Sequence, residues 1–181
     1  MSKDFWVFGY GSLLWNPGFE YVDQKVATLQ GYHRSFCMRS IHHRGTEDAP
    51  GLVLALDEDE NANCAGIAFR VAGAQADDVM AYLRERELVS AAYLEKTLDI
   101  ILHTGEIVPA ISYVIDADHG QYCGGLPLEE QAQILATAVG GRGPNWEYLN
   151  NTALHLKELA LEDADLNWLM MRVAELRKQT R

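Results

Sequence analysis

Two short stretches of this chain carry residue types that can do chemistry. The first is Val7-Phe8-Gly9-Tyr10-Gly11-Ser12-Leu13, followed by Leu14 and Trp15. An apolar run from Phe5 to Phe8 stops at two glycines that flank a tyrosine, and a serine comes next. The run is short and aromatic, as expected of a buried strand. Gly9 and Gly11 remove two β-carbons where that strand ends, so a ligand can approach bare main-chain amides. Such amides hold a carboxylate or a developing oxyanion. A plain strand-to-loop turn is the other reading of so short a motif.

The second stretch is Tyr82-Leu83-Arg84-Glu85-Arg86-Glu87, at the end of a helix expected over Ala74 to Glu87. Val79, Met80 and Leu83 set its buried face. At about 100° of rotation per residue, Glu87 lies near +40° from Leu83 and Glu85 near 200°. Glu85 therefore faces water, and Glu87 points inward at the end of the apolar stripe with Arg86 at its flank. Burial raises the pKa of a carboxyl group, and so does the negative end of a helix. A glutamate moved towards neutrality passes a proton in both directions near pH 7. A structural ion pair, with Arg86 or an arginine elsewhere, is the competing reading.

Other site types score poorly. No G-x-S-x-G elbow surrounds Ser12, and no P-loop or dinucleotide fingerprint follows the first strand. His42 and His43 are adjacent, so on a strand they would face opposite ways. Cys37, Cys64 and Cys123 are odd in number and far apart, which suggests neither a disulfide framework nor a zinc site; Cys37 reads as a buried structural thiol. What remains is chemistry without a protein nucleophile, a metal or a cofactor, in which the substrate brings its own nucleophile and one carboxyl group moves protons.

The elements that must position these residues are strands first and helices later. Strands are expected at Phe5 to Tyr10, within Val26 to Met38, at Gly51 to Leu56 and at Ala65 to Val71. Gly31, Gly45 and Pro50-Gly51 punctuate them, and Asp57 to Asn61 reads as a solvated acidic hairpin tip. A hairpin follows, Tyr93 to Leu102 with Ile107 to Ile115. Helices are expected over Pro127 to Ala138, Pro144 to Leu159 and Asp163 to Lys178. Leu166, Leu169, Met170, Val173 and Leu176 give the last of these an apolar stripe for core packing. This order indicates an α+β fold.

With 181 residues, 48% of them hydrophobic and 23% charged, a single soluble domain over 1–181 is expected. The N-terminus shows no signal peptide and no apolar stretch reaches membrane-spanning length, so a reducing cytoplasm is the expected compartment. The net charge of −11 argues against nucleic acid and anionic membranes as partners. The charge is uneven: Gln24 to Thr46 holds no Asp or Glu, yet includes Lys25, Arg34, Arg39 and Arg44. That basic segment suits a small anion, or pairs with acids elsewhere in the fold. Oligomeric state is not written in the sequence.

The blocks taken together resemble a family. Val7 to Phe19, His33 to Arg39, His43-Arg44-Gly45, Tyr82 to Glu87 and Asn145-Trp146-Glu147-Tyr148-Leu149 are similar to the ChaC-type γ-glutamylcyclotransferases, over nearly the whole chain. Where some members carry Gly-Gly-Tyr after the Arg-Glu, this chain has Val89-Ser90-Ala91-Ala92-Tyr93, as in the bacterial branch. The resemblance implies a mixed sheet or partly closed barrel flanked by helices. It implies a lyase that cleaves glutathione to 5-oxoproline and cysteinylglycine, with no cofactor. The family's catalytic glutamate falls on Glu87 and its substrate loop on Val7, Phe8, Gly9, Tyr10, Gly11, Ser12 and Leu13. Arg39 and Arg44 are then candidates for the glutathione carboxylates. Tyr148 aligns with a family tyrosine near the site, or is a core aromatic. The alternatives are a cyclotransferase for other γ-glutamyl compounds, and a binding or regulatory protein linked to cation transport.

Overall fold

Alternating burial marks much of Asp23–Ser40 and the start of Ile107–Ile115, where one face of the strand meets the core. The computed structural model describes residues 2–180. Five strands, β1 (Phe5–Gly9), β2 (Asp23–Ser40), β3 (Gly51–Val71), β4 (Tyr93–Leu102) and β5 (Ile107–Ile115), form a closed barrel in the order β1-β3-β2-β4-β5. β1 pairs antiparallel with β3 from Phe5 opposite Val71 to Gly9 opposite Ile67. It pairs parallel with β5 at Trp6 opposite Ala110, which closes the ring and makes the sheet mixed. The helices are α1 (Ala76–Glu87), α2 (Leu128–Thr137), α3 (Asn145–Glu158) and α4 (Ala164–Gln179). The α+β expectation and the barrel implied by the resemblance both hold.

Two strand expectations need correction. Asp57 to Asn61 is no hairpin tip, because β3 runs unbroken from Gly51 to Val71. Glu58 to Asn61 are exposed, so their charges stay in water while the main chain keeps its strand geometry. Gly31 does not interrupt β2 either. It sits inside the strand at φ +83°, a left-handed kink open to glycine, and pairing continues beyond it. The helices lie within two residues of their expected bounds. Asp163 caps α4 by accepting the Leu166 amide at 3.0 Å. The Gly140-Gly141 stop expected after α2 belongs to a small ribbon, β6 (Val139–Gly140) with β7 (Gly143–Pro144).

The chain clusters into two compact units. One comprises the residues up to Arg34 together with Leu56–Gly120, and the other Ser35–Ala55 with the chain from Gln121 onward. In the first, Val7, Leu13, Val71, Val79, Leu83 and Tyr113 share one buried cluster, with Phe19, Met80 and Leu88 packed against it. That cluster joins β1, the turn after it, β3, α1 and β5. Burying side chains of this size contributes roughly 1.5–3 kcal/mol each, which holds α1 in a fixed register against the turn. In the second, α2, α3 and α4 pack on one another through Leu135, Leu149, Leu156, Leu166, Leu169 and Val173. Among the described residues, no helix is long and apolar enough to cross a membrane.

Candidate active site

The turn after β1 is built as the sequence suggests. Val7 and Phe8 are buried at 0% and 1% exposure, so their side chains serve the core and only their main chain is open to other roles. Ser12–Leu14 form one turn of 3-10 helix. The turn's own bonds use the amides of Leu14, Trp15 and Asn16, donated to Gly11 O and Ser12 O. The amides of Gly11, Ser12 and Leu13 lie at its open N-terminal end, where no such bond forms. A β-carbon added at Gly11 would meet no atom within 4 Å, so this side of the turn faces space.

Two arginines fix that main chain, and sequence reasoning assigned neither of them this role. Arg34, 4% exposed, donates its Nε–H to the Tyr10 carbonyl at 2.8 Å and an Nη2–H to the Ala65 carbonyl. Among the described residues no peptide bond is cis, so the Gly11 N–H points opposite to the Tyr10 carbonyl that Arg34 holds. The direction of the Gly11 amide is therefore set by a buried cation. Arg86 works from the other side. Its Nη1 donates to the Asn16 carbonyl at 2.6 Å, the Pro17 carbonyl at 3.2 Å and the Tyr82 hydroxyl at 3.1 Å, and its Nη2 to Ser12 Oγ at 2.9 Å. One guanidinium thus laces residues 12–17 to α1. Gly18 follows at φ +75°, and a β-carbon there would collide with the Tyr82 hydroxyl. The spacing of Arg86 from Tyr82, one helical turn apart, was the available signal.

The same guanidinium reaches Glu87, with Arg86 Nε 3.3 Å from Glu87 Oε1. Glu85 is exposed and Glu87 is only 16% exposed at its side chain, as helix phase requires. Burial pushes the Glu87 carboxyl above the ordinary carboxylate range, and the neighbouring Arg86 charge pulls it part of the way back. The ion pair with Arg86 is therefore present, beside a carboxyl that burial raises. Behind it, the Tyr113 hydroxyl donates to Glu95 Oε2 at 3.0 Å, and Arg84 grips Glu95 through two hydrogen bonds of 3.0 Å each. Tyr113 is raised by burial first, then by its bond to Glu95, and the Glu87 charge adds to this.

Arg39, Arg44 and Tyr148 belong to the second unit. Arg44 donates to the Pro144 carbonyl at 3.1 Å and lies over the Tyr148 ring, 5.6 Å from its centroid. Tyr148 packs edge-on to Phe36, and its hydroxyl accepts the Leu54 amide at 3.3 Å. Asn145, fully buried, exchanges hydrogen bonds with the Leu52 main chain and anchors the start of α3. The main chain of Arg39 bonds to Gln121. Val7 to Leu13 and Glu87 are thus brought together in one unit, and Arg44 and Tyr148 in the other. Among the described residues, no three His, Cys, Asp or Glu side chains converge as a metal-binding group.

The chain resembles known proteins over most of its length. The chain is 35% identical over 171 residues to a protein of Escherichia coli named glutathione-specific γ-glutamylcyclotransferase, covering 94% of this chain and 73% of that one. It is 35% identical over 191 residues to the protein of that name in Schizosaccharomyces pombe, covering 96% and 93%. A solved yeast structure, described as a γ-glutamyl cyclotransferase specific to glutathione, shares the fold with a TM-score of 0.84, at 22% identity and 97% coverage of both chains. The family model for ChaC-like proteins matches residues 5–176. The chain belongs to the ChaC-like protein family.

Proposed function

We propose that this chain is a glutathione-specific γ-glutamylcyclotransferase of the cytoplasm, and that Glu87 is its general acid/base. The observation that carries the reading is the Arg86 guanidinium, which touches Ser12 of the glycine-flanked turn and the Glu87 carboxylate at once. It supports a proton acceptor held beside main-chain amides. The names of the 35%-identical relatives support glutathione as the substrate.

The chemistry follows from the groups present. The α-amine of the γ-glutamyl residue, in its free-base form, attacks the γ-carbonyl carbon of its own residue and passes one proton to the Glu87 carboxylate as the new C–N bond forms. The carbonyl π electrons move onto oxygen, where the amides of Gly11, Ser12 and Leu13 donate to the oxyanion or to the γ-glutamyl carboxylate. The carbonyl reforms as the amide C–N bond breaks, and Glu87 returns the proton to the departing cysteine nitrogen. The products are 5-oxoproline and cysteinylglycine. Holding the substrate folded makes the attack intramolecular, and such orientation contributes roughly 7–11 kcal/mol. No protein nucleophile enters this sequence of steps. Arg39 and Arg44 are assigned to the glutathione carboxylates on the chemistry of the guanidinium, and Tyr148 to orienting Arg44.

The test is a substrate panel. Purified protein is incubated with glutathione and, separately, with γ-glutamyl amino acids, and 5-oxoproline and cysteinylglycine are quantified. Glutathione is expected to give both products in equal amounts while the γ-glutamyl amino acids persist. Turnover of the γ-glutamyl amino acids with glutathione intact would overturn the substrate assignment, and tight glutathione binding without product would overturn the enzymatic one.

A further inference from the structure

Two of the three cysteines, far apart in sequence, face each other in the second unit. Met38 on β2 and Tyr122, beyond β5, form an antiparallel bridge. The Arg39 amide donates to the Gln121 carbonyl and the Cys123 amide to the Cys37 carbonyl, both at 2.8 Å. Gln121 adds a side-chain bond, its Nε2 donating to the Arg39 carbonyl at 3.0 Å. This register sets Cys37 directly opposite Cys123 at a hydrogen-bonded position. Residues so opposed have Cα atoms roughly 5.5 Å apart and side chains on one face. Disulfides span Cα separations of about 4.4–6.8 Å. Both residues are thiols here; Cys37 is fully buried and Cys123 only partly so. Cys64, also buried, lies on β3.

We propose that Cys37 and Cys123 are a modification site, a dithiol that closes to an intramolecular disulfide by exchange with a low-molecular-weight disulfide. Cys123, the accessible member, reacts first. Its sulfur attacks one sulfur of the small disulfide, that S–S bond breaks, and one small thiol leaves carrying the proton from Cys123. The Cys37 sulfur then attacks the Cys123 sulfur of the mixed disulfide, and the second small thiol leaves with the Cys37 proton. Two protein thiols are oxidised and one small disulfide is reduced to two thiols. The bond cross-links the segment around Tyr122 to β2, where main-chain hydrogen bonds hold it in the dithiol form.

The experiment uses the full chain and the disulfide of 2-mercaptoethanol, which has no γ-glutamyl group, so its outcome is independent of the proposed catalytic activity. After incubation the intact mass is taken, and the remaining thiols are then alkylated for peptide mapping. The expected product is a monomer lighter by two hydrogen atoms, with the Cys37 and Cys123 peptides linked and the change reversed by dithiothreitol. Cys123→Ser is expected to lose this product and Cys64→Ser to keep it. A persistent 2-mercaptoethanol adduct on Cys123, a link through Cys64 or between two chains, or no loss of hydrogen would each overturn the proposal. The linkage is read first in the unsubstituted protein, so poor folding of a variant cannot decide the result.

Discussion

Glu87 and Glu95 lie in the same unit, each beside an arginine from the last turns of α1, at 16% and 22% side-chain exposure. Their carboxyl groups are nonetheless shifted in opposite directions. Hydrogen bonds from Arg84 hold Glu95 below the ordinary range, with Tyr113 adding to the effect. Burial holds Glu87 above it, with only the ion pair to Arg86 as offset among the described residues. Side-chain exposure is nearly equal, yet burial dominates at Glu87 while hydrogen bonds from Arg84 outweigh it at Glu95. One glutamate is thus suited to staying charged and holding structure, and the other to taking and returning a proton.

The largest expected effect breaks this pair in two ways. Glu87→Gln keeps the shape and removes the base, and glutathione turnover is expected to fall by about 10²–10⁴-fold. Glu95→Gln is expected to keep measurable turnover and to melt a few degrees lower. The stability signs are opposite. The raised pKa of Glu87 means that its folded form binds the proton more tightly, so wild-type stability is fully present below the ordinary carboxylate pKa and lost as pH rises through the folded value. Glu87→Gln is therefore expected to raise Tm at neutral pH and to lose that gain in acid. The lowered pKa of Glu95 gives stability that is present above the unfolded carboxylate pKa and lost as pH falls through the folded one. The Tm deficit of Glu95→Gln is accordingly expected to vanish in acid. Scanning Tm against pH for both variants checks the two signs together.

Next in size is Arg86→Gln. It removes the cation that offsets burial at Glu87, so the acid limb of kcat/KM is expected to move to higher pH. A purely structural role for Arg86 would lower activity without moving the limb. A smaller effect is expected at Ala91, which holds a left-handed conformation at φ +55° beyond α1. Ala91→Gly is expected to raise stability by roughly 0.5–1 kcal/mol, measured by urea unfolding. Glu85→Gln, on the exposed face, is expected to change turnover and Tm by less than the error of either measurement.

Much of this arrangement was legible in the chain because it is local. Helix phase separated Glu87 from Glu85, and the glycine pair located the turn, since both depend on residues within one or two turns of each other. What stayed hidden is carried by long-range pairing. Arg34 reads as one more cation of the basic segment until β2 and β3 bring it to the Tyr10 and Ala65 carbonyls. Cys37 and Cys123 read as unrelated thiols until the bridge at Met38 sets their register. The acidic run from Asp57 to Asn61 looked like a turn because its composition reports solvent exposure, which a long strand also allows. The left-handed turn at Ala91 carries no glycine, so nothing in its residue type announced it.

The most direct test is a crystal structure of Glu87→Gln with uncleaved glutathione bound. The α-amine nitrogen of the γ-glutamyl residue is expected within hydrogen-bond reach of the residue 87 side chain, about 2.6–3.2 Å, with the γ-carbonyl carbon poised for attack by that amine and the Gly11 to Leu13 amides turned towards the ligand. Glutathione bound extended, or with its amine remote from residue 87, would contradict the assignment of Glu87 as the group that moves the proton.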